Sequence, residues 1–213
     1  MKVASLPLGP IGANCYILYG QEEEGCIVID PGDEPESLVR QLDRLGLMPA
    51  YILITHGHPD HTGGVTGLKK EYPEAKVMIH EADNEKLGTL GMGYHAPGSV
   101  DPTVADAFLH EGDEICCGSM RLKVIHTPGH SPGGVSLYAE EDGCVFTGDT
   151  LFRASIGRSD FPGGNYDDLE YSILQKLYSL PPETVVYPGH SSATSIGEEM
   201  EYNPFIRAGS SEG

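Results

Sequence analysis

The run Thr55-His56-Gly57-His58-Pro59-Asp60-His61 places three imidazoles and a carboxylate within six residues. All four are good ligands for zinc and for other borderline divalent ions. They follow directly on Tyr51-Ile52-Leu53-Ile54, which reads as a buried strand running out into a loop. Alternate residues of an extended segment point the same way, so His56 and His58 are set to grip one ion together. Pro59 suits the first position of a helix, and Asp60-His61 would then turn away toward a second position. A polar loop whose histidines cluster by accident is a poor account of so dense a ligand set.

Three more candidates stand elsewhere. His130 follows the apolar run Leu122-Lys123-Val124-Ile125, Asp149 follows Cys144-Val145-Phe146, and His190 follows Thr184-Val185-Val186. Each ends a short β-like run and is preceded by a glycine, which lets the backbone turn sharply and approach a ligand closely. Seven ligands are too many for one tetrahedral ion and suit two ions that share a ligand. The assignment is His56, His58 and His130 on one ion and Asp60, His61 and His190 on the other, with Asp149 bridging through its two oxygens. Two divalent ions, two aspartates and a bridging hydroxide leave a net charge of about +1. A metal-bound water ionises near pH ~7, so a hydroxide oriented by Asp60 is a nucleophile for a carbonyl at neutral pH.

The T-H-x-H-x-D-H run with its later His, Asp and His resembles the metallo-β-lactamase superfamily of hydrolases. Phe146-Thr147-Gly148-Asp149-Thr150-Leu151-Phe152 and Ser155-Ile156-Gly157-Arg158-Ser159-Asp160-Phe161 are similar to the glyoxalase II (hydroxyacylglutathione hydrolase) group, in its shorter form. The likeness runs from about Val3 to Pro204. It implies an αββα sandwich, two packed β-sheets with helices on the outer faces. It also implies attack of a metal-bound hydroxide on a small acyl thioester, S-lactoylglutathione or a related 2-hydroxyacyl thioester. Two divalent ions per chain are expected, zinc first, with iron or manganese as alternatives. Arg158 stands where those enzymes carry a lysine that binds a glutathione carboxylate, and arginine can hold a carboxylate bidentately. A surface salt bridge with Asp160 or Asp167 is the plainer role for it. Asp160 and Ser192 occupy positions where that group often has tyrosine. Persulfide dioxygenases, a sister group, carry a similar Gly-Arg-Thr-Asp-Phe segment; for them a single iron on His56, His130 and Asp149 would be the alternative centre.

Composition bounds the rest. The 213 residues suit one α/β domain over 1–208, with 209–213 as a loose tail. No apolar stretch reaches the length of a membrane span, and the opening Met1–Leu6, interrupted soon after by Pro7 and Pro10, does not read as a signal peptide. Five cysteines (Cys15, Cys26, Cys116, Cys117, Cys144) without a CxxC spacing point to a reducing cytoplasm and no disulfide framework. Acidic residues outnumber basic ones 32 to 13, giving a net charge of −19. That opposes binding to nucleic acid phosphates, so the expected partner is a small-molecule thioester, with no nucleic acid and no membrane. A homo-oligomer is left open.

The elements that must position these residues alternate between strand and helix. Asn14–Tyr19 and Cys26–Asp30 read as a hairpin pair around the polar turn 20–25. Pro35–Leu45 reads as a helix with Leu38, Leu42 and Leu45 on one stripe and Gly46 as its stop. Helices are expected over Gly63–Tyr72 and Glu81–Leu90, flanking a strand at Lys76–His80. Met120–Asp149 is β-rich with Gly143 in a hairpin turn. Asp167–Leu180 reads as an amphipathic helix with Leu169, Ile173, Leu177 and Leu180 on one stripe. His80, His110 and His126 lack the setting of a strand end with a glycine immediately before the ligand and take structural or surface roles; His95 is a candidate for the mouth of the site.

Overall fold

A computed structural model of the chain describes residues 1–20, 25–87 and 104–208. Within them the polypeptide divides into two compact units, Met1–Leu109 with Cys116–Met120, and His110–Ile115 with Arg121–Gly213.

The first unit is built on a six-stranded mixed sheet of β1 (Lys2–Leu8), β2 (Ala13–Tyr19), β3 (Gly25–Ile29), β4 (Met48–Leu53), β5 (Lys76–Ile79) and β6 (Ala107–Phe108), in that spatial order. The first three strands are antiparallel neighbours, and β3 to β6 run parallel. Parallel neighbours need a crossover. Here α1 (Pro35–Leu45) carries the chain from β3 to β4, and α2 (Pro59–Thr62) with α3 (Val65–Glu71) carries it from β4 to β5. The expected bounds of α1 are those found. Its Leu38 and Leu42 are fully buried among Ile17, Val28, Ile52 and Val77, each contributing roughly 1.5–3 kcal/mol of burial. The helix expected over Gly63–Tyr72 forms at Val65–Glu71. The one expected over Glu81–Leu90 is instead a 3-10 turn over Glu81–Lys86, with His80 Nδ1 accepting from the Ala82 N–H at 3.2 Å. Of the expected turn 20–25, positions 21–24 lie outside the described residues, as do His95, the end of the Glu81–Leu90 segment and the tail.

The second sheet, in the order β14-β13-β10-β9-β8-β7, comprises β7 (Glu114–Cys117), β8 (Met120–His126), β9 (Val135–Ala139), β10 (Cys144–Gly148), β13 (Val185–Pro188) and β14 (Thr194–Ser195). The hairpin β11 (Leu151–Phe152) and β12 (Ser155–Ile156) forms a two-stranded sheet of its own. Gly143 closes the β9–β10 connection with φ 61°, as the hairpin reading requires. The expected amphipathic helix begins as α4 (Tyr166–Tyr171), capped by Asn165 Oδ1 on the N–H groups of Asp167 and Asp168, and passes into a π-turn over Ser172–Leu177. Residues four apart drift by about 40° per step round an ideal α-helix. The wider π-turn offsets that drift, keeping Leu169, Ile173 and Leu177 buried in one core with Val145 and Val186. The chain continues to α5 (Ile196–Tyr202), capped by Ser195. Among the described residues no helix is long and apolar enough to cross a membrane.

Candidate metal centre

In the first unit the ligand run leaves the C-terminal end of β4, a strand flanked by parallel neighbours, the usual place for ligand-binding loops in such sheets. Pro59 takes the first position of α2, as expected, and turns Asp60 and His61 away from the extended segment. His56 and His61 are buried, while His58 and Asp60 are part-exposed. The rings of His56 and His58 lie 4.8 Å apart and those of His56 and His61 4.2 Å apart.

Behind these rings stands Asp30, a residue that sequence reasoning missed. Its Oδ1 accepts the Thr55 N–H at 2.7 Å, and its Oδ2 accepts the Thr55 hydroxyl at 2.6 Å and His61 Nδ1 at 2.9 Å. Because the carboxylate only accepts, His61 carries its proton on Nδ1 and turns Nε2 outward as a lone-pair donor. The single Thr55 proton is spent on Asp30, so Thr55 Oγ must accept from His56 Nδ1, 3.1 Å away. His56 therefore also offers Nε2. His61 Nε2 lies 3.4 Å from Asp60 Oδ2. Asp30 closes its own apolar run Cys26–Ile29, the same strand-end setting as the ligands, and that was the signal available.

In the second unit His130, Asp149 and His190 come together after β8, β10 and β13. Asp149 Oδ2 lies 3.5 Å from His130 Nε2 and 3.7 Å from His190 Nε2, so one carboxylate oxygen faces both imidazoles. His130 Nδ1 donates to the Arg158 carbonyl at 2.6 Å, which again fixes Nε2 as the ligand atom. A Cβ on Gly129 would lie 2.2 Å from the Leu169 amide nitrogen, and its φ of 132° suits only glycine, so the glycine before His130 is a packing requirement. Phe161 stands edge-on to His130 and Phe152 to His190, with centroids 6.0 and 6.1 Å away.

Arg158, taken from the sequence as a substrate contact, pairs bidentately with Asp160 at 2.9 and 2.7 Å and lies 4.3 Å over the Phe161 ring. The pair is solvent-exposed. Its hydrogen bonds hold the Asp160 carboxyl below the usual carboxylate range and raise the Arg158 guanidinium. The salt bridge with Asp160 considered from the sequence is thus present. Three of the buried cysteines stay out of the chemistry. Burial raises the Cys15 thiol and pushes those of Cys26 and Cys144 up to about 12, so all three remain protonated at neutral pH. The donors on offer are imidazole nitrogens and carboxylate oxygens, the set that suits borderline divalent ions.

Comparison with known proteins places the chain in a family. Residues 8–190 match the family model of the metallo-beta-lactamase superfamily. The chain is 36% identical over 209 residues to the probable metallo-hydrolase YqgX of Bacillus subtilis, covering 97% of this chain and 98% of the relative. It is 34% identical over 212 residues to the hydroxyacylglutathione hydrolase GloC of Haemophilus influenzae, covering 98% and 99%. Among solved structures, the BLEG-1 B3 metallo-beta-lactamase superposes with a TM-score of 0.88 at 36% identity, over 96% of this chain and 99% of that one. TTHA1623 in a di-iron-bound form gives 0.81 at 38% identity, over 96% and 100%. ETHE1 from Myxococcus xanthus gives 0.80 at 28% identity, over 97% and 84%. The chain belongs to the metallo-beta-lactamase superfamily, and the fold is the metallo-β-lactamase fold that the sequence led us to expect. Its class within that superfamily is that of a metallo-hydrolase.

Proposed function

We propose that this protein hydrolyses small acyl thioesters of the 2-hydroxyacylglutathione type. It would do so at a binuclear centre with His56, His58 and His130 on one divalent ion, Asp60, His61 and His190 on the other, and Asp149 shared. The observation that carries the reading is the position of Asp149 Oδ2, facing the Nε2 atoms of both His130 and His190. GloC, a hydroxyacylglutathione hydrolase by name, supports the choice of substrate class.

When bound, two divalent ions supply an acidified water and polarise the substrate carbonyl. The protein's part is to orient. Asp30 and Thr55 hold His61 and His56 with their donor nitrogens outward, and the Arg158 carbonyl does the same for His130. Asp60 would accept a hydrogen bond from the attacking water and so aim its lone pair at the carbonyl. A departing thiolate has a conjugate acid of pKa ~8.5 and needs little help from a proton donor.

The likeness to ETHE1 keeps a single-iron persulfide dioxygenase as the second reading. Elemental analysis after anaerobic reconstitution, with S-lactoylglutathione hydrolysis followed by thiol release, separates the two. Two equivalents of metal and hydrolysis without oxygen uptake are expected. One iron that saturates the chain, with oxygen consumed on glutathione persulfide, would falsify the hydrolase reading.

In this reading Arg158 binds a carboxylate on the thiol half of the substrate, which must displace Asp160. The exposed pair is weak enough to yield. Arg158→Ala is expected to raise KM for glutathione thioesters roughly tenfold and to leave metal content unchanged, since the backbone carbonyl that serves His130 remains. Asp160→Asn, which frees the guanidinium, should lower KM. Equal losses in Arg158→Ala on a thioester without a carboxylate would remove Arg158 from recognition.

A further inference from the structure

We propose that Asp83 is a positioning residue for the ligand run, holding the His56-Gly57-His58 backbone so that both imidazoles address the same ion. The inference rests on the reading of His56 and His58 as metal ligands. Asp83 sits on the 3-10 turn Glu81–Lys86, and although it is a carboxylate it is 0% exposed. Its Oδ2 accepts the Gly57 N–H at 2.9 Å, and its Oδ1 pairs with Lys86 Nζ at 2.8 Å.

Gly57 is the link between the two imidazoles, and the turn packs directly against it. A Cβ there would meet Lys86 Cβ at 2.7 Å and the Asp83 carbonyl oxygen at 2.9 Å. The turn is in its turn anchored to the end of β5, with the Asp83 N–H donating to the His80 carbonyl at 3.0 Å. Since β5 is the hydrogen-bonded neighbour of β4, the strand that delivers the ligands also carries, one strand over, the carboxylate that fixes them. With Asp83 buried and Lys86 part-exposed, such a pair is a poor source of stability compared with an apolar pair of the same volume. What it supplies is direction. A charged acceptor makes a stronger and shorter bond to an N–H than a neutral one, and here it fixes the plane of the peptide joining His56 to Gly57. Outer-shell contacts of this sort govern metal affinity even where they touch no metal.

The test is zinc affinity, by competition with a chromogenic chelator, alongside thermal unfolding of the metal-free protein. Asp83→Ala is expected to weaken zinc binding about ten- to hundredfold. Asp83→Asn, which keeps an oxygen to accept the Gly57 N–H, should recover affinity to within about threefold of wild type. Gly57→Ala, which pushes the loop off the turn without altering a ligand, should weaken zinc as Asp83→Ala does. Unchanged zinc affinity in folded Asp83→Ala would overturn the inference, whatever its melting temperature, and so would an equal loss in Asp83→Asn. If Asp83→Ala does not fold, wild-type affinity in Gly57→Ala would overturn it. Wild-type protein that binds no zinc, iron or manganese would instead sink the metal reading, and this inference with it.

Discussion

Asp149→Asn should lower the metal content of the protein and cut thioester hydrolysis by at least about a hundredfold. The reason lies in the geometry at the ends of β10, β8 and β13. One oxygen of Asp149 stands 3.5 Å from His130 Nε2 and 3.7 Å from His190 Nε2, the two nitrogens proposed for different ions. A carboxylate shared between two cations offsets their repulsion and fixes their spacing, so both ions feel its loss. Asparagine preserves the shape, but it removes the charge and replaces one oxygen by an amide nitrogen that cannot ligate while protonated. His110→Ala is the control, since His110 is an exposed residue whose ring Nδ1 lies 3.5 Å from the Asp113 carboxylate, outside the proposed ligand set. It should keep its full metal complement. The measurement is elemental analysis beside hydrolysis for both variants; two metals and near-normal turnover in Asp149→Asn would remove Asp149 from the centre.

The strand-end placement of the ligand-type residues was legible because it depends on local pattern. Apolar runs followed by glycine or proline and a ligand can be read in a dozen residues, as can the Leu38–Leu42 stripe that sets α1. What escaped the sequence depends on which strands lie side by side. Asp30 is 25 residues from Thr55 and 31 from His61, and only the parallel pairing of β3 with β4 brings them together. Asp83 reaches Gly57 through the next pairing, β4 with β5. Neither carboxylate stands in a motif; Asp30 shares the strand-end setting of the ligands without their glycine, and Asp83 looks along the chain like one more acidic residue among 32. The π-turn after α4 was hidden for another reason. Apolar residues four apart fit an α-helical stripe nearly as well as a π-turn, and the core around Val145 and Val186 decides between them. Arg158 was half legible. Its side chain drew notice through the resemblance, but the carbonyl that orients His130 belongs to no side chain and leaves no mark in the sequence.

Close backbone packing at the centre leads to the second large effect. Gly157 follows the β11–β12 hairpin, and a Cβ there would fall 1.8 Å from the Asp149 carbonyl oxygen and 3.3 Å from His130 Cβ. Its N–H donates to the Thr150 carbonyl at 3.2 Å, so the segment cannot move away without breaking that bond. Gly157→Ala therefore has to displace the backbone at Asp149, the residue proposed to set the spacing of two ions. Overpacking that forces backbone shifts costs about 1–3 kcal/mol, and we expect the upper end of that range here. Gly143→Ala separates this collision from the ordinary strain of a left-handed position. Gly143 has φ 61° with nothing within 4 Å of its would-be Cβ, so only the conformational cost of about 1–2 kcal/mol applies. Both variants should melt earlier than wild type, but only Gly157→Ala should also lose metal and activity at temperatures where it is folded. Comparing chemical denaturation of the metal-free proteins with their zinc affinity measures the two effects separately. A folded Gly157→Ala with wild-type zinc affinity would show that the backbone contact between Gly157 and Asp149 does not set the ligand geometry.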